Sequence, residues 1–492
     1  MTRHQPMISD QPVNDHDDLR KVTDNMLREV GLSIGDSGGK VTFAGAEPVR
    51  KTTMKAGAAP AIILAANAVA EAAIWKERTG EGQDIHVDLR KAWIEQSPWQ
   101  LDAAPYTIIN GASKMFNFGV YVVLNPQCPT RDGRFMIMCP LYPSQERKIL
   151  RFLNCGPDEQ QLRAAIIKRD ALEMEAAAEA AQLPFQMIRT REEWEASEQG
   201  QVNAQTPLIS IEKIGESDPI PLPQGERPLS GLRVLSMVHA VAGPSCPRTL
   251  AGQGADCLNL NMPDWIEYGN FFFQADVGLR QAYLDARKAE NRPLVYNLIK
   301  DADVFVDNLR PGVADTEGYS AQSLAERKPG IIAVSIKLNA HRGPWSHWPG
   351  FDINAHGITG LATAEGTPDQ PLPPQQVQVI CDIMTGYLGA IGVKAALLRR
   401  AKEGGSYRVD ISLAQCCSFI MSLGLNDKDT IDNLANLGEE HQIMKPNLIT
   451  GMTAYGEFTK PGSQVEGMKT PQSWDDPLLH VPGSCKPEWL PR

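Results

Sequence analysis

The stretch PLSGLRVLSMVHAVAGP, residues 228–244, decides the fold. Residues 232–237, LRVLSM, form a short apolar strand run, a loop follows at 242–244, and a helical segment leads to Gly252-Gln253-Gly254. Residues 257–260 then read as a second strand, and 302–307 and 330–336 as further apolar strands, each preceded by a helical segment. Strands alternating with helices at this spacing imply a doubly wound, Rossmann-like parallel sheet.

Upstream lies ESDPIPLPQGERP, residues 216–228, a proline-rich linker. Before it, the pattern predicts an alanine-rich helix over 59–78, a glycine turn and a strand at 84–89. Strands at 119–124 and 134–139 and helical periodicity from 144 to 182 complete a smaller α+β unit. Residues 1–56 read as a flexible head with one helix near 18–30. The tail, 425–492, contains a proline-rich stretch at 470–489 expected to lie as an extended strap. The expected division is therefore head 1–56, partial unit 57–215, linker 216–228, sheet domain 229–424 and tail 425–492.

Composition narrows the partners. The 492 residues carry a net charge of −11, which argues against nucleic acid or an anionic membrane as partner. Nine cysteines without a C-x-x-C pair read as reduced thiols of a cytoplasmic protein, with no metal expected. The apolar run at 57–75 is broken by Asn67 and Glu71, so a buried helix is expected rather than a membrane span.

One block repeats. Residues 385–415 match 61–91 with a fixed offset of 324: an apolar helix with a basic end, a glycine turn, and a strand ending in leucine. This reads as a partial internal duplication or a permutation. A nicotinamide dinucleotide is set aside. The first turn, His239 to Pro244, lacks G-x-G-x-x-G, and the second strand ends in Leu260-Asn261-Met262 without an acid for a ribose.

From 228 to 415 the chain resembles the family III CoA-transferases, the CaiB/BaiF group. The matching stretches are 228–244, ADVFVDNLRPGV (302–313), PGIIAVSIK (329–337), GPWSHWPGFD (343–352) and the block from Asp382 to Leu413. Residues 57 to about 215 resemble the later part of the same family. The resemblance implies a doubly wound sheet domain with a smaller α+β domain and a homodimer. It also implies transfer of coenzyme A, the co-substrate, from an acyl-CoA to a small carboxylic acid.

The resemblance places the nucleophile at Asp382, opening a helix after the loop EGTPDQP at 365–371. A carboxylate is a weak nucleophile, but a thioester is an activated acyl donor, and helix N-terminal amides would favour the ionised carboxylate and the oxyanion. At the offset of 324 the counterpart of Asp382 is Ala58, so the first copy is expected to be catalytically empty. Cys381 stands where the family has glycine and is expected to pack rather than attack.

The related 2-methylacyl-CoA racemases resemble the transferases but use a G-H-D stretch. Here the residues are Gly350-Phe351-Asp352, and His356 is expected to point elsewhere. A non-catalytic CoA-binding protein is the remaining alternative. For CoA, the resemblance implies His239, Ala240, Val241, Ala242, Arg280, Leu284, Asn308, Leu309, Arg310, Pro311, Gly312 and Lys337. Arg280, Arg310 and Lys337 would be the phosphate partners. Two basic positions of the family are Met262 and Thr316 here.

Overall fold

Alternate residues of the predicted strands face two separate cores, as buried parallel strands require. Val234, Val304, Val306 and Val334 point into one; Leu235, Phe305 and Ala333 point into the other. Helices Ala242–Ala251 and Cys381–Glu403 cover the first face, and Arg292–Asp301 and Ala321–Arg327 the second. The structure, a computed structural model, describes residues 11–96, 104–113, 127–263, 267–371 and 380–491. The strand expected at 119–124 lies outside them.

The main sheet has seven strands, ordered Arg280–Tyr283, Asp256–Asn261, Arg233–Met237, Val304–Asp307, Ile332–Lys337, Ser406–Ser412 and Ser210–Gly215. The first six are parallel and the last is antiparallel. The direction of winding reverses between Arg233–Met237 and Val304–Asp307, which opens a crevice at their C-terminal ends. There the His239 amide donates to Asn308 Oδ1 (3.1 Å), and Asn308 Nδ2 donates to the His239 carbonyl (2.8 Å). Gly243 permits this closeness: a Cβ there would meet the Asn308 side chain at 2.5 Å.

The linker does not separate two bodies. The strand before it, Ser210–Gly215, is the edge of the main sheet. The linker then runs beneath the sheet: Gly405 N–H donates to the Ser217 carbonyl (3.2 Å) and Ile220 N–H to that of Arg400 (3.2 Å). The smaller α+β unit is an antiparallel sheet of Cys128–Pro129, Phe135–Met138 and Phe185–Met187. Helices Pro143–Leu153, Glu159–Ile166 and Ala171–Ala180 cover it through Ile149, Leu162, Ile166 and Met174.

Residues 11–56, read as a flexible head, are instead folded. The amphipathic helix His16–Glu29, capped by Asp15, buries Leu19, Val22, Met26 and Leu27. Strand Val41–Ala44 pairs in parallel with Ile85–Asp88. The polar residues that suggested disorder lie on the outer side of an element whose apolar stripe is satisfied by packing. The tail forms a hairpin, Leu448–Thr453 with Gly456–Pro461, which the sequence pattern did not indicate. Beyond it the described residues form a helix-free strap held by Trp474 Nε1 on the Arg248 carbonyl (2.9 Å) and Trp489 Nε1 on that of Leu298 (3.1 Å).

The two similar helix–turn–strand blocks have similar surroundings. Ile85–Asp88 lies between a parallel strand, Val41–Ala44, and an antiparallel one, Val465–Glu466. Ser406–Ser412 likewise lies between parallel Ile332–Lys337 and antiparallel Ser210–Gly215. The helices of the two blocks, Ala58–Thr79 and Cys381–Glu403, are apolar enough to cross a membrane but pack on one another inside the fold. Across that contact the buried Lys394 ammonium meets Glu71 Oε1 at 2.8 Å. Removing either partner would strand the other charge, at a cost of about 3–5 kcal/mol.

Candidate active site

The site begins with an unsatisfied helix end. The first amides of Cys381–Glu403 need acceptors, and Asp352, first residue of helix Asp352–Thr359, supplies one. Its Oδ2 takes the amides of Cys381 (2.7 Å) and Asp382 (3.0 Å). These are the donors that the sequence reading reserved for the nucleophile and its oxyanion. They are already engaged, so their support reaches Asp382 only through the fixed position of its backbone.

Asp382 itself is half-buried and lines a cavity of about 590 Å³ at the C-terminal ends of the sheet strands. Burial first, and then the charge of Asp352, hold its carboxyl well above the usual carboxylate range. Phe351 also lines this cavity, in the position where a racemase would need a proton-exchanging side chain. His356, one helical turn on, faces away from the cavity: its Nε2 lies 3.0 Å from Asp352 Oδ1 and 3.5 Å from Cys381 Sγ. The fold thus gives Cys381 the histidine neighbour that sequence adjacency did not show. The thiol is fully buried and burial pushes it well above its ordinary value, so it is no nucleophile.

Eight of the residues implied for CoA border the cavity: His239, Ala240, Ala242, Asn308, Leu309, Arg310, Pro311 and Lys337. Ala240 has a φ of 63°, a left-handed backbone uncommon for alanine, and its amide donates to Glu267 Oε2 (2.8 Å). The His239 ring, pulled down to about 4 by burial and the Arg310 charge, is neutral near pH 7 and sits 2.7 Å from the Tyr142 hydroxyl. Lys337 is less available than expected, because its ammonium holds Asp307 Oδ1 (2.7 Å) and the Leu309 carbonyl (2.6 Å).

Four implied residues lie off this cavity. Val241 is buried beside the helix it precedes, and Gly312 borders a neighbouring cavity. Leu284 packs into the core on the other face of the sheet. Arg280 is displaced for a simple reason: it opens strand Arg280–Tyr283, whereas the cavity lies at the strand C-termini. Its guanidinium instead pairs with Asp256 (3.0 Å) and the Glu488 carbonyl (2.7 Å). Past the end of that unrecognised strand, Ala286 and Arg287 do line the cavity.

The smaller unit contributes side chains that the sequence reading missed. Tyr142, Arg147 and Lys148 line the cavity together with Arg310. Arg147 and Lys148 are exposed charges on a helix, indistinguishable in sequence from a solvated face. Together with Arg310 and with Arg287, whose guanidinium is paired with Asp285 (2.7 Å), they put four cations on the lining of one cavity in an otherwise acidic protein. Such a lining suits a polyanionic ligand.

A doubly wound α/β domain with a carboxylate at a helix end, facing a cation-lined crevice, is the class that these observations define. Residues 229–452 match the model of CoA-transferase family III. It is similar to the acetyl-coenzyme A transferase nodX of Hypoxylon pulicicidum, with 30% identity over 291 residues, covering 54% of this chain and 49% of that one. The chain thus spans about half the length of that relative. It is also similar to the formyl-CoA:oxalate CoA-transferase of Escherichia coli, at 27% identity over 54% of this chain and 69% of that one. Among solved structures, a CaiB/BaiF family protein from Brucella suis shares 28% identity over 47% of this chain and 65% of that one, with a TM-score of 0.37.

Proposed function

We propose that the protein transfers coenzyme A from an acyl-CoA to a small carboxylic acid, with Asp382 as the covalent carrier. One observation carries the reading: the Asp382 carboxylate lines the same cavity as Arg147, Lys148, Arg287 and Arg310. These cations supply charge for the phosphates of CoA, and the cavity admits the thioester.

In the proposed reaction an Asp382 oxygen attacks the thioester carbon, the C–S bond breaks, and an aspartyl anhydride forms with CoA thiolate released. The thiolate attacks the aspartyl carbonyl, expels the first acid and leaves an aspartyl-CoA thioester. The acceptor carboxylate attacks that thioester to give a second anhydride. Thiolate attack on the new acyl carbon yields the product and regenerates Asp382. Asp352 is a positioning residue here, holding the backbone from which Asp382 projects. The raised affinity of Asp382 for a proton makes deprotonation part of the barrier.

The test is incubation with a panel of acyl-CoAs followed by hydroxylamine or borohydride trapping and peptide mapping. An adduct on the Asp382 peptide, absent from Asp382→Asn, supports the carrier role; no adduct and no label exchange with any donor overturns it. The protonated state favoured by burial and by Asp352 supports a second reading, a CoA-binding protein without turnover. It predicts CoA binding equal in wild type and Asp382→Asn. Racemisation is not proposed, because Phe351 cannot exchange a proton.

The similar surroundings of the two blocks support a partial duplication, with Ala58 marking the copy that has lost its carboxylate. Nine free cysteines suit a reducing, cytoplasmic setting. A homodimer is part of the proposal, and light scattering tests it against the 53.9 kDa mass of one chain. A monomer would mean that the contact between the two blocks within one chain takes its place.

A further inference from the structure

Behind the nucleophile, on the side away from the cavity, three soft donors from three helices converge. His356 Nε2, Cys381 Sγ and Cys417 Sγ all lie within 4.8 Å of one another. The two sulfurs are 3.0 Å apart and the imidazole nitrogen is 3.5 Å from Cys381 Sγ. Their helices are Asp352–Thr359, Cys381–Glu403 and Leu413–Ser422, and all three residues are sealed from solvent. Asp352 brings a carboxylate to the same group: its buried Oδ1 stands 3.0 Å from the imidazole nitrogen.

Buried cysteines alone would be ordinary apolar packing. A histidine–carboxylate pair and two thiols gathered in one sealed spot are more than packing calls for, since polar groups cost free energy to bury. The dimensions fit a tetrahedral soft cation. With metal–sulfur bonds of about 2.3 Å and metal–nitrogen bonds of about 2.0 Å, sulfur–sulfur and sulfur–nitrogen spacings come to about 3.8 and 3.6 Å. The His356–Cys381 spacing matches as it stands, His356 and Cys417 lie within 4.8 Å, and the two sulfurs need to part by under 1 Å, within reach of thiol rotation. The other helix block lacks the set: at the offset of 324 Cys381 corresponds to Gly57 and Cys417 to the fully buried Trp93.

We propose that Cys381, Cys417 and His356, with Asp352 beside them, form a binding site for one zinc-class divalent cation that clamps the helix bearing Asp382. Binding replaces two S–H bonds by two metal–thiolate bonds and releases two protons, with no change of oxidation state. Donors at 356, 381 and 417 have no recognisable sequence spacing, which is why no metal signal shows in the sequence. The site would fix Asp352, and through it the backbone of the nucleophile. Cation binding here does not depend on the transferase reading, because its readout needs no acyl-CoA.

The experiment uses the full chain, purified reduced and without a histidine tag, and then loaded with Zn²⁺ or Co²⁺. Elemental analysis should give about one equivalent per chain, and Co²⁺ should show thiolate charge-transfer and intense tetrahedral visible bands. Cys417→Ser should weaken binding by about 10-fold or more, whereas Cys257→Ser, buried elsewhere, should not. If Cys417→Ser does not fold, His356→Gln gives the same reading. Folded, reduced protein that takes up no metal overturns the proposal, as does a Cys381–Cys417 disulfide in its place. Undiminished binding by the Cys381→Ser/Cys417→Ser double variant also overturns it.

Discussion

The helices Ala58–Thr79 and Cys381–Glu403 begin in the same way. Glu47 Oε1 takes the amides of Gly57 and Ala58 at 2.6 Å each, and Asp352 Oδ2 takes those of Cys381 and Asp382 at 2.7 and 3.0 Å. The pairs of amides are equivalent at the offset of 324. Beyond the caps the two ends differ. Ala58 is fully buried, whereas Asp382 looks into a cavity lined by cations. The buried acid is therefore part of how such a helix is seated, and the proposed chemistry rests on the one side chain, Asp382, that alanine replaces at the other helix. The residue before it diverges too. A Cβ on Gly57 would press on Leu89 and Val49 at 3.0 Å, while Cys381 has room against His356 and Cys417.

The sharpest way to break this comparison is to remove the carboxylate at the active end. Asp382→Asn should lower CoA transfer by about a thousandfold or more, measured by label exchange between acid and acyl-CoA. The same variant should be no less stable than wild type, and by thermal unfolding about 1 kcal/mol more stable, because it removes a buried acid facing Asp352. A large loss of stability would mean that the aspartate serves the fold and that the two helix ends are not equivalent.

The reverse exchange asks whether a carboxylate alone restores a site. Ala58→Asp should gain no transferase activity and should cost about 2–4 kcal/mol by denaturant unfolding, since the new acid is enclosed beside Glu47 without a cation-lined cavity. Cap removal comes next in size. Asp352→Ala and Glu47→Ala should each cost about 1–2 kcal/mol, but only Asp352→Ala should also lower kcat, with KM for acyl-CoA little changed. Equal effects on kcat would show that the two ends communicate.

The sheet was legible because its strands are short apolar runs whose alternate residues are all buried, at 234–237, 304–307 and 332–337. Asp382 was legible only through the resemblance, which places the nucleophile at a helix start after the loop at 365–371. The cap was not, because Asp352 and Asp382 are 30 positions apart and their link is a backbone amide. Arg147, Lys148 and Arg287 escaped for another reason: a cation becomes a ligand group only when another element closes the space opposite it. The misplaced Arg280 shows the same limit at short range. Strand Arg280–Tyr283 is four residues long, and missing it exchanges one end of the sheet for the other.

The smallest effect separates the inactive end by pH. Burial raises the Glu47 carboxyl above its ordinary value, although the Gly57 and Ala58 amides oppose the shift. A folded-state value above the unfolded one means that the native protein binds the proton more tightly. The stabilising contribution is then complete below the ordinary glutamate range and is lost as pH rises through the folded value. Glu47→Gln mimics the protonated form and keeps an oxygen for both amides, so its stability should vary less with pH than that of the wild type. Unfolding free energies on both sides of the ordinary glutamate range would show the two proteins diverging as pH rises. Parallel curves would place Glu47 as an ionised cap, held by the helix end with no cost of burial.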